Sequence, residues 1–544
     1  MQPRSDAPLS RRAALRLMAA AAGLTLLAAC GPAGAAATPP GASTSLAATP
    51  TLGPVAPNAT PAGAQPRSGG TLTLATASET DTLDGHRLYQ PTQVGVFQMY
   101  DTLTAFDDQR QPQPVLAESW DVASDFKRVR LNLRKGVQFH DGREFTSDDV
   151  KFNILRVRDP KLPAAQLLFM SNWFTEVQTP DKYTVVLASD EPRPAMFDFF
   201  EFLNIVDQNT VASGDKTRAV GTGPFALGEW VQGDHLNFTR NRNYWRSGKP
   251  LLDGISISIV PDAQTLLTSL EAASVLAAAG IPLTSVPRLK SDPKYAVVLS
   301  NNVGGFLGLG VNTTVPPTDN KLVRQGLNYA INRQRFADTA LAGIGQPIDL
   351  PWPPGSPAFD VQKNARYAFD LDKARAAFNE SGVSDIQLDY VYPPQTYGLA
   401  EMGQIIQNDL ASVGVKLNLK ALELSVFNST IFARNYSGVF GAGGGFVQVE
   451  PSTLFFISAF YKVGANNPGF NSDRYAQLAN ASATETDSAK RKQLYDQMND
   501  VLLDECFTIP VASSPGNVVS RSTVNGLAWR LNGSLQYSDV WLAA

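Results

Sequence analysis

The chain has 544 residues, more than the roughly 250 to 300 residues at which a single hydrophobic core stops growing, so we expect at least two lobes. Hydrophobic residues make up 43% and charged residues 18%, a balance that is typical of a folded globular protein and excludes a disordered chain or a polytopic membrane protein. The net charge of -4, with 3 His and 2 Cys, argues against a nucleic-acid-binding protein and against a zinc, haem or iron–sulfur enzyme.

The N-terminus has the features of an export signal. Arg11, Arg12 and Arg16 precede an uncharged apolar run over 17–29, which is too short for an ordinary membrane-spanning helix. The run ends in Leu27-Ala28-Ala29-Cys30-Gly31, which resembles a bacterial lipobox. We therefore predict a twin-arginine-like lipoprotein signal peptide over 1–29 and lipid attachment at Cys30. An ordinary signal peptide with a chance cysteine is the alternative.

Residues 30–69 predict a disordered tether. This stretch consists mainly of Ala, Pro, Thr and Gly, with Arg67 as its single charge, so it cannot bury enough apolar area to fold. No later stretch offers an uninterrupted apolar run of membrane-spanning length. Cys506 is the other thiol of the chain, and we expect it to be a small packed side chain rather than a nucleophile.

The first half of the folded part shows alternating runs and one capped helix. An alternating apolar pattern predicts strands, whereas Thr, Ser or Asp before an apolar periodic segment predicts a helix start. By these criteria we predict strands over 71–75, 129–133, 184–187 and 255–259, a helix over 94–103, and a helix over 150–157 capped within Thr146 to Asp149.

Two units in the second half have clearer periodicity. Apolar residues at four-residue steps predict an amphipathic helix over 321–341, with Asp319 or Asn320 as its N-cap. A second helix is predicted over 399–413, with Gly414 at its C-terminal stop and a strand over 415–419. Helix, glycine and strand in this order form an α/β unit, so we predict α/β lobes with mixed sheets.

Motifs that carry catalysis are missing from the sequence. It contains no Gly-x-Ser-x-Gly elbow, no complete Gly-x-Gly-x-x-Gly and no Gly-Lys-Ser/Thr phosphate loop. The run Gly441 to Gly445 lacks such a lysine, and we favour a closely packed or ligand-approached backbone there. His140 and Asp141 are adjacent and point apart, which favours a turn with a hydrogen-bonded histidine over an acid–base pair. We therefore predict a binding protein, with no catalytic residue, no metal site and no cofactor.

Seven blocks resemble, in the same order, the extracellular solute-binding proteins of family 5, the binding lipoproteins of peptide/nickel-type ABC importers. The similarity covers the chain from about Gly70 to the C-terminus. The blocks are Ala117 to Trp120, Leu133 to Val150, Gly221 to Phe225, Arg240 to Trp245, Gly310 to Thr313, Val323 to Arg333, and Ile509-Pro510.

This resemblance implies an α/β chain with a two-lobed periplasmic-binding-protein type II fold, mixed sheets, a hinge and an extra subdomain inserted in the first lobe. The first lobe is expected over 70–106, 219–305 and 510–544, the insert over 107–218, and the second lobe over 306–509. The resemblance also implies capture of a peptide or peptide-like solute by hinge closure and delivery to a membrane permease. We expect a monomer, anchored by its lipid to the extracytoplasmic face of the cell membrane.

Most residues of these blocks are expected to be structural. Trp120, Arg134, His140 and Asp141 are expected to hold the insert together, and Trp245 to pack at the lobe surface. The predicted ligand-facing residues are instead aromatic, polar or glycine residues in loops and at one strand end, although ordinary packing is the alternative for each. They are Tyr89, Gln90, Trp352, Tyr392, Tyr397, Gly444, Phe446, Val447 and Gln448.

Val447 departs from the pattern of peptide-binding relatives. Aligned on Glu450-Pro451, it stands where those relatives carry an Asp that pairs with the ligand's α-ammonium group. Relatives also carry Gly and Asp in place of Ala273 and Leu276. The ligand class therefore stays open between a peptide-like solute and an oligosaccharide or other uncharged solute. Outside this class, an exported hydrolase and a sensor lipoprotein without transport are the alternatives.

Overall fold

The secondary structure begins at Thr71 and ends at Leu542. The computed structural model describes residues 65–88, 90–300, 304–446, 449–458, 460–464, 470 and 472–543. All of these belong to one compact unit that spans Ala56–Ala544. The predicted signal peptide, Cys30 and the tether up to residue 64 lie outside the described residues.

The strands form sheets of seven, five, four and two strands. They are β1 (Thr71–Thr76), β2 (Thr104–Phe106), β3 (Pro112–Pro114), β4 (Ala117–Val122), β5 (Arg128–Leu133), β6 (Glu176–Asp181), β7 (Thr184–Ala188), β8 (Phe225–Val231), β9 (His235–Arg240), β10 (Gly254–Ile259), β11 (Ala277–Ala279), β12 (Tyr295–Leu299), β13 (Gly304–Val311), β14 (Gln387–Tyr392), β15 (Lys416–Ala421), β16 (Gly438–Phe446), β17 (Thr508–Ser513), β18 (Asn517–Arg521), β19 (Val524–Asn525), β20 (Ala528–Trp529), β21 (Leu535–Gln536) and β22 (Trp541–Leu542).

The α-helices pack on these sheets. They are α1 (Gln90–Gly95), α2 (Ser147–Arg156), α3 (Ala165–Ser171), α4 (Met196–Phe202), α5 (Gln208–Ser213), α6 (Ala263–Glu271), α7 (Val286–Ser291), α8 (Lys321–Ala330), α9 (Arg333–Ala340), α10 (Leu371–Ser381), α11 (Leu399–Ala411), α12 (Leu424–Phe432), α13 (Pro451–Ile457), α14 (Asp473–Thr484) and α15 (Ser488–Glu505).

The seven-stranded sheet, with the elements packed on it, is the first lobe. Its order is β12-β18-β11-β1-β10-β9-β8, so strands from both ends of the chain meet in it. β1 pairs in parallel with β10 and β11, whereas the other pairs are antiparallel. Its core includes the inward-facing Leu72, Leu74, Ile255 and Ile257.

The chain between β1 and β8 forms a separate antiparallel sheet of order β4-β5-β7-β6, which we call the inserted subdomain together with α2, α3, α4 and α5. The Trp120 ring packs on Phe197 with centroids 5.2 Å apart, and both partly buried rings lie against the aromatic core of this subdomain. The Arg134 guanidinium lies 4.3 Å above the Trp245 ring. These contacts agree with the structural roles expected for Trp120, Arg134 and Trp245.

The five-stranded sheet, of order β15-β14-β16-β13-β17, forms the second lobe with α8 to α15. β14 runs parallel to β15 and β16, and β13 is antiparallel to β16 and β17. The fold is therefore α/β with mixed sheets, as expected. β17 pairs with β13 in this sheet as far as Ser513, opposite Phe306.

The helix predicted over 94–103 is wrong after Gly95, so only its first two residues belong to an α-helix. α1 ends at Gly95, a 3-10 turn follows over Phe97–Met99, and Tyr100 is extended with φ -124° and ψ 149°. The Met99 carbonyl accepts the amide N–H of Gly223 at 3.0 Å, so a tertiary partner replaces the next helical hydrogen bond.

The helix predicted over 321–341 consists of two helices. α8 begins after Asn320, whose Oδ1 accepts the Leu322 amide at 2.9 Å, so the N-cap is confirmed as Asn320. It ends before the extended Ile331, and Asn332 then caps α9 through the Arg335 amide at 2.9 Å. The Asp409 carboxylate accepts the Asn332 amide at 3.0 Å, which holds the break in place.

Candidate functional site

Two parallel strands of the second lobe end at the same edge of its sheet. β14 and β16 pair from Asp389 opposite Gly438 to Val391 opposite Phe440. Ligands of open α/β sheets bind outside the carboxyl ends of such strands. The loop after β14 and the last residues of β16 therefore form the candidate site.

Gly444 is exposed on β16 at this edge. A Cβ atom placed on it would lie 3.8 Å from Cε2 of Phe460 and 3.9 Å from Cε1 of Phe306. Because glycine has no side chain, the strand backbone stays open between two aromatic rings. Such a surface can take a ligand backbone by strand pairing and a flat group by stacking.

The preceding glycines of β16 allow close packing. A Cβ atom at Gly441 would lie 2.7 Å from the Tyr390 hydroxyl, and one at Gly443 would lie 3.3 Å from Cδ2 of Leu307. A side chain at Gly441 would force Tyr390 to move. The closely packed backbone predicted for this run is confirmed at Gly441.

The loop after β14 lies beside this strand. The Tyr392 ring stacks on Tyr390 with centroids 5.0 Å apart and an interplanar angle of 19°. Cγ2 of Thr396 is 3.7 Å from the Cβ position of Gly443. Tyr397 is 46% exposed, and its hydroxyl donates to the Ala340 carbonyl at 3.1 Å. The structure thus brings the predicted Tyr392 to Tyr397 loop to the predicted strand end.

Trp352 occupies a different environment. Its side chain is only 2% exposed, and its indole Nε1 donates to Oδ1 of Asn499 at 2.7 Å. The ring meets Phe455 edge-on, with centroids 5.8 Å apart. Trp352 therefore lies in the aromatic core of the second lobe.

Other predicted ligand-facing residues lie outside the described residues. These are Tyr89, Val447 and Gln448, together with the side chains of Gln90, which begins α1, and Phe446, which ends β16. Their roles stay predictions.

The inserted subdomain contacts the second lobe close to this edge. The Phe169 and Phe456 rings stack with centroids 5.3 Å apart and an interplanar angle of 14°. A cavity of about 520 Å³ is lined from the two sides, by Phe169 and Trp173 of the insert and by Thr453 and Phe456 of the second lobe.

Sequence reasoning missed Asp198, which lies at the same contact. Its carboxylate accepts the Val449 amide at 2.9 Å and the Thr453 hydroxyl at 2.9 Å. The one signal in the sequence is a charged residue within the aromatic run Phe197 to Phe200, since a carboxylate in such a run has to find buried donors.

Two chain segments connect the sheets of the two lobes. One runs from the end of β12 to β13, and the other runs from the end of β17 to β18. The Ser300 amide donates to the Gly516 carbonyl at 2.9 Å, and the Ser514 amide donates to the Gly305 carbonyl at 2.8 Å. Neighbouring crossings of this kind are where a hinge between lobes can bend.

His140 is held by backbone groups. Its Nε2 lies 3.0 Å from the Gly223 carbonyl oxygen, and its Nδ1 lies 3.3 Å from the Gly221 amide nitrogen. Burial lowers the pKa of His140, which keeps the ring neutral with one nitrogen donating and one accepting. The predicted turn with a hydrogen-bonded histidine is confirmed.

Cys506 is fully buried, and the Asn328 amide donates to its sulfur at 3.3 Å. Burial raises the pKa of the Cys506 thiol, which disfavours the reactive thiolate and confirms the packed role predicted for it. Over the described ranges, no cluster of three or more His, Cys, Asp or Glu side chains is arranged to hold a metal ion. Within the same part of the chain, none of the helices combines the length and the apolar character that crossing a membrane requires.

Comparison with known proteins connects this architecture to a family. The model of "Bacterial extracellular solute-binding proteins, family 5 Middle" matches residues 111–467. The chain is 27% identical over 468 residues to heme-binding protein A of Haemophilus influenzae, covering 79% of this chain and 84% of the relative. It is also 27% identical over 450 residues to di/tripeptide-binding protein 1 of Pseudomonas aeruginosa, covering 76% and 82%.

Solved structures share the fold. NikA from Brucella suis in complex with Fe(III)-EDTA superposes with a TM-score of 0.78 and 22% identity, covering 87% of this chain and 100% of that chain. The periplasmic binding protein DppA from Helicobacter pylori in complex with the peptide STSA gives a TM-score of 0.76 and 22% identity, covering 88% and 99%. Both support the type II periplasmic-binding fold that the family resemblance implies. The chain belongs to family 5 of the bacterial extracellular solute-binding proteins, which are extracytoplasmic transport proteins rather than enzymes.

Proposed function

We propose that this protein is the solute-binding component of an ABC importer and that it captures a peptide or peptide-like solute by closing its two lobes. The observation that supports this most directly is the exposed backbone at Gly444, which lies between the Phe306 and Phe460 rings at the sheet edge. Contacts from both lobes to one ligand favour the closed form, because a ligand shifts such an equilibrium by its differential affinity for the two forms. The closed form then docks on a membrane permease.

The proposed contacts are the residues predicted from the sequence other than Trp352, whose side chain is buried. In the second lobe they are Gly444, Phe446, Val447 and Gln448 at the strand end, with Tyr392 and Tyr397 in the neighbouring loop. Tyr89 and Gln90 are the proposed contacts of the first lobe. The division near residues 107, 219, 306 and 510 is part of the same proposal.

The ligand lacks a free α-ammonium group at the position of Val447. A valine there gives no counter-ion, and an unpaired buried charge costs several kcal/mol. Glu450 is close in sequence, but its Oε1 accepts Nε of Arg491 at 3.3 Å and the hydroxyl of Tyr495. Because that carboxylate is already paired, it does not replace the missing aspartate.

An oligosaccharide or another uncharged solute is the second candidate. The half-exposed Tyr397 and the aromatic rings beside Gly444 provide flat apolar surface on which a sugar ring can stack. Sugar hydroxyls would then use the open strand backbone as donor and acceptor.

A thermal-shift panel separates these ligands. Free-amine tripeptides, their N-acetylated forms, oligosaccharides and metal chelates are each added to the purified protein. A specific ligand at ~100 Kd stabilises the folded state by about 2.7 kcal/mol, and we expect the N-acetylated peptides to give the larger shift. Chemical turnover of any panel compound would contradict the binding-protein assignment in favour of a hydrolase. A specific ligand that no permease imports would favour a sensor lipoprotein.

Val447→Asp tests the proposed ligand position. We expect it to tighten free-amine tripeptides by at least about tenfold, since a new carboxylate pairs with the ammonium group at a site that water leaves on closure. Val447→Asn is the matched control, because it has nearly the same shape without the charge. Titration calorimetry measures the affinity of both variants for the tripeptide. Equal affinities would contradict the assignment of residue 447 to the position that faces the ligand's ammonium group.

The proposal includes attachment to the cell membrane through a lipid on Cys30, with residues 31–69 as the tether. A tethered protein meets its permease at a high effective concentration. Metabolic labelling with a clickable fatty acid should mark the wild type and leave Cys30→Ser unmarked. Cys506→Ser should keep the label, because that thiol is buried.

A further inference from the structure

The inserted subdomain and the second lobe are joined by one buried carboxylate. Oδ1 of Asp198 on α4 accepts the Val449 amide at 2.9 Å. Its Oδ2 accepts the Thr453 hydroxyl at 2.9 Å, and the Glu450 amide lies 3.2 Å from Oδ2 and 3.4 Å from Oδ1. Asp198 is 1% exposed, so these donors take the place of water around it.

The donors directly follow the proposed ligand-facing residues in the sequence. Val447 and Gln448 alone separate the end of β16 at Phe446 from the bonded amide of Val449. Because the backbone is continuous, fixing the amides of Val449 and Glu450 also fixes one end of this short segment. Asp198 lies on the other side of the contact, in α4. Met196 and Phe199 of the same helix belong to the core of the inserted subdomain.

We propose that Asp198 is a positioning residue through which the inserted subdomain holds the ligand-facing end of β16, and that this contact forms when the lobes close and breaks when they open. The inserted subdomain thereby takes part in closure as the partner that fixes this segment. This role rests on the proposed function, since it assigns a task within hinge closure.

The charges around Asp198 make the contact sensitive to pH. Burial, and then the negative Glu450 beside it, raise the pKa of Asp198 to about 8. Glu450 is itself paired with Arg491 and Tyr495. The Arg110 guanidinium interacts electrostatically with Asp198 and with Glu201 of the same helix. If opening exposes the same carboxyl to water, as the proposal requires, its pKa returns toward the ordinary value of 3.8.

The direction in which closure depends on pH follows from proton binding to Asp198. The closed form binds the Asp198 proton more tightly, so this contribution to closure is full below pH about 3.8 and is lost as the pH rises to about 8. Within that window the closed-to-open ratio falls by at most about tenfold per pH unit, and above it the ratio is level.

Hydrogen exchange of the Val449 and Glu450 amides tests the proposal on the full-length chain without added ligand. Protection factors, corrected for intrinsic rates, are measured by mass spectrometry between pH 5 and 9. In the wild type we expect protection that falls as the pH rises toward 8. Asp198→Ala should remove at least about nine tenths of the protection at pH 6, because both amides lose their acceptor.

Asp198→Asn shows whether the contact depends on protonation of Asp198 or only on the packing of its side chain. The asparagine Oδ1 can still accept both amides and its Nδ2 can donate to Thr453, so it mimics the protonated carboxyl. Protection should persist and become independent of pH. Asp121→Asn, which changes an exposed carboxylate of the same subdomain, is the control and should behave as the wild type.

Equal protection of Val449 and Glu450 in the wild type and Asp198→Ala would overturn the proposal, and so would a wild-type pH profile in Asp198→Asn. Protection of the β5 and β13 amides reports whether each variant is folded. Because no ligand is added, this result is independent of the thermal-shift panel. If no compound of the panel binds but the pH-dependent protection is observed, the proposed ligand class is wrong and the role of Asp198 stands.

Discussion

Ala273 adopts a backbone conformation that is normally favourable for glycine. It follows the end of α6 with φ 57°, in the left-handed region that glycine adopts without steric cost. An alanine there brings Cβ close to the following carbonyl, at a cost of roughly 1–2 kcal/mol. Family members that carry glycine at this position avoid that cost. Nothing in the structure explains why Leu276 stands where those relatives carry Asp.

We therefore expect Ala273→Gly to stabilise the protein by about 0.5–1 kcal/mol, since the relief of strain exceeds the added flexibility of the unfolded chain. Urea unfolding measures this as a higher midpoint. The adjacent Ala272 has φ -74° and is the matched control. Ala272→Gly should destabilise by up to ~1 kcal/mol. A lower midpoint for Ala273→Gly would mean that the positive φ is not retained in solution.

At the scale of secondary-structure elements, Arg143 links the N-termini of two helices, α2 and α5. It donates to Asp149 at 2.7 Å and to Asp207 at 2.6 Å. Asp149 closes the capping box of α2 by accepting the Thr146 amide at 2.9 Å, and Asp207 caps α5 by accepting the Thr210 amide at 2.7 Å. The motif that contains Arg143 is thus structural, because it fixes two helices of the inserted subdomain.

Arg143→Gln should destabilise the protein by about 2 kcal/mol. It leaves two carboxylates without their shared cation, and their side chains are only 0% and 1% exposed. Calorimetric unfolding measures the loss. Arg143→Lys keeps the charge but not the forked geometry, so it should lose less. Equal losses in the two variants would show that geometry, rather than charge, holds the helices.

How much of the fold the sequence predicts depends on where each element finds its partners. Local signals were sufficient for the N-cap at Asn320 and for Gly414, which has φ 79° after α11 as predicted for a helix stop. They failed at Met99 and Asn332, because the Gly223 amide and the Asp409 carboxylate that end those helices are distant in sequence.

The same reasoning applies to the site. Gly444 and Tyr397 could be named from family resemblance and aromatic character, and both are exposed in the structure. Trp352 could not be separated from core aromatics, since its partner Asn499 is 147 residues away. Asp198 could not be named at all, because the Val449 amide is 251 residues from it.

At the scale of the whole molecule, three bodies are in contact, and the proposed closure acts through those contacts. The first and second lobes are joined by the crossings at Ser300 and Ser514, and the inserted subdomain reaches the second lobe through Asp198 and the stacked rings of Phe169 and Phe456. A contact that exists only in the closed form adds to ligand affinity, because it raises the population of the binding-competent state.

The aromatic stack should therefore contribute to binding although neither ring need touch the ligand. Stacked aromatic pairs contribute about 0.5–1.5 kcal/mol, so Phe169→Ala or Phe456→Ala should weaken binding roughly 2- to 12-fold. The double variant should lose little more than either single one, since all three lack the same stack. Titration calorimetry with the tightest-binding compound of the thermal-shift panel measures the affinities of the wild type, the two single variants and the double variant. Phe432→Ala removes a ring of the second lobe that is 55% exposed and should leave affinity unchanged. Fully additive losses would show that the two rings act separately, and closure would then rest on Asp198 without the stack.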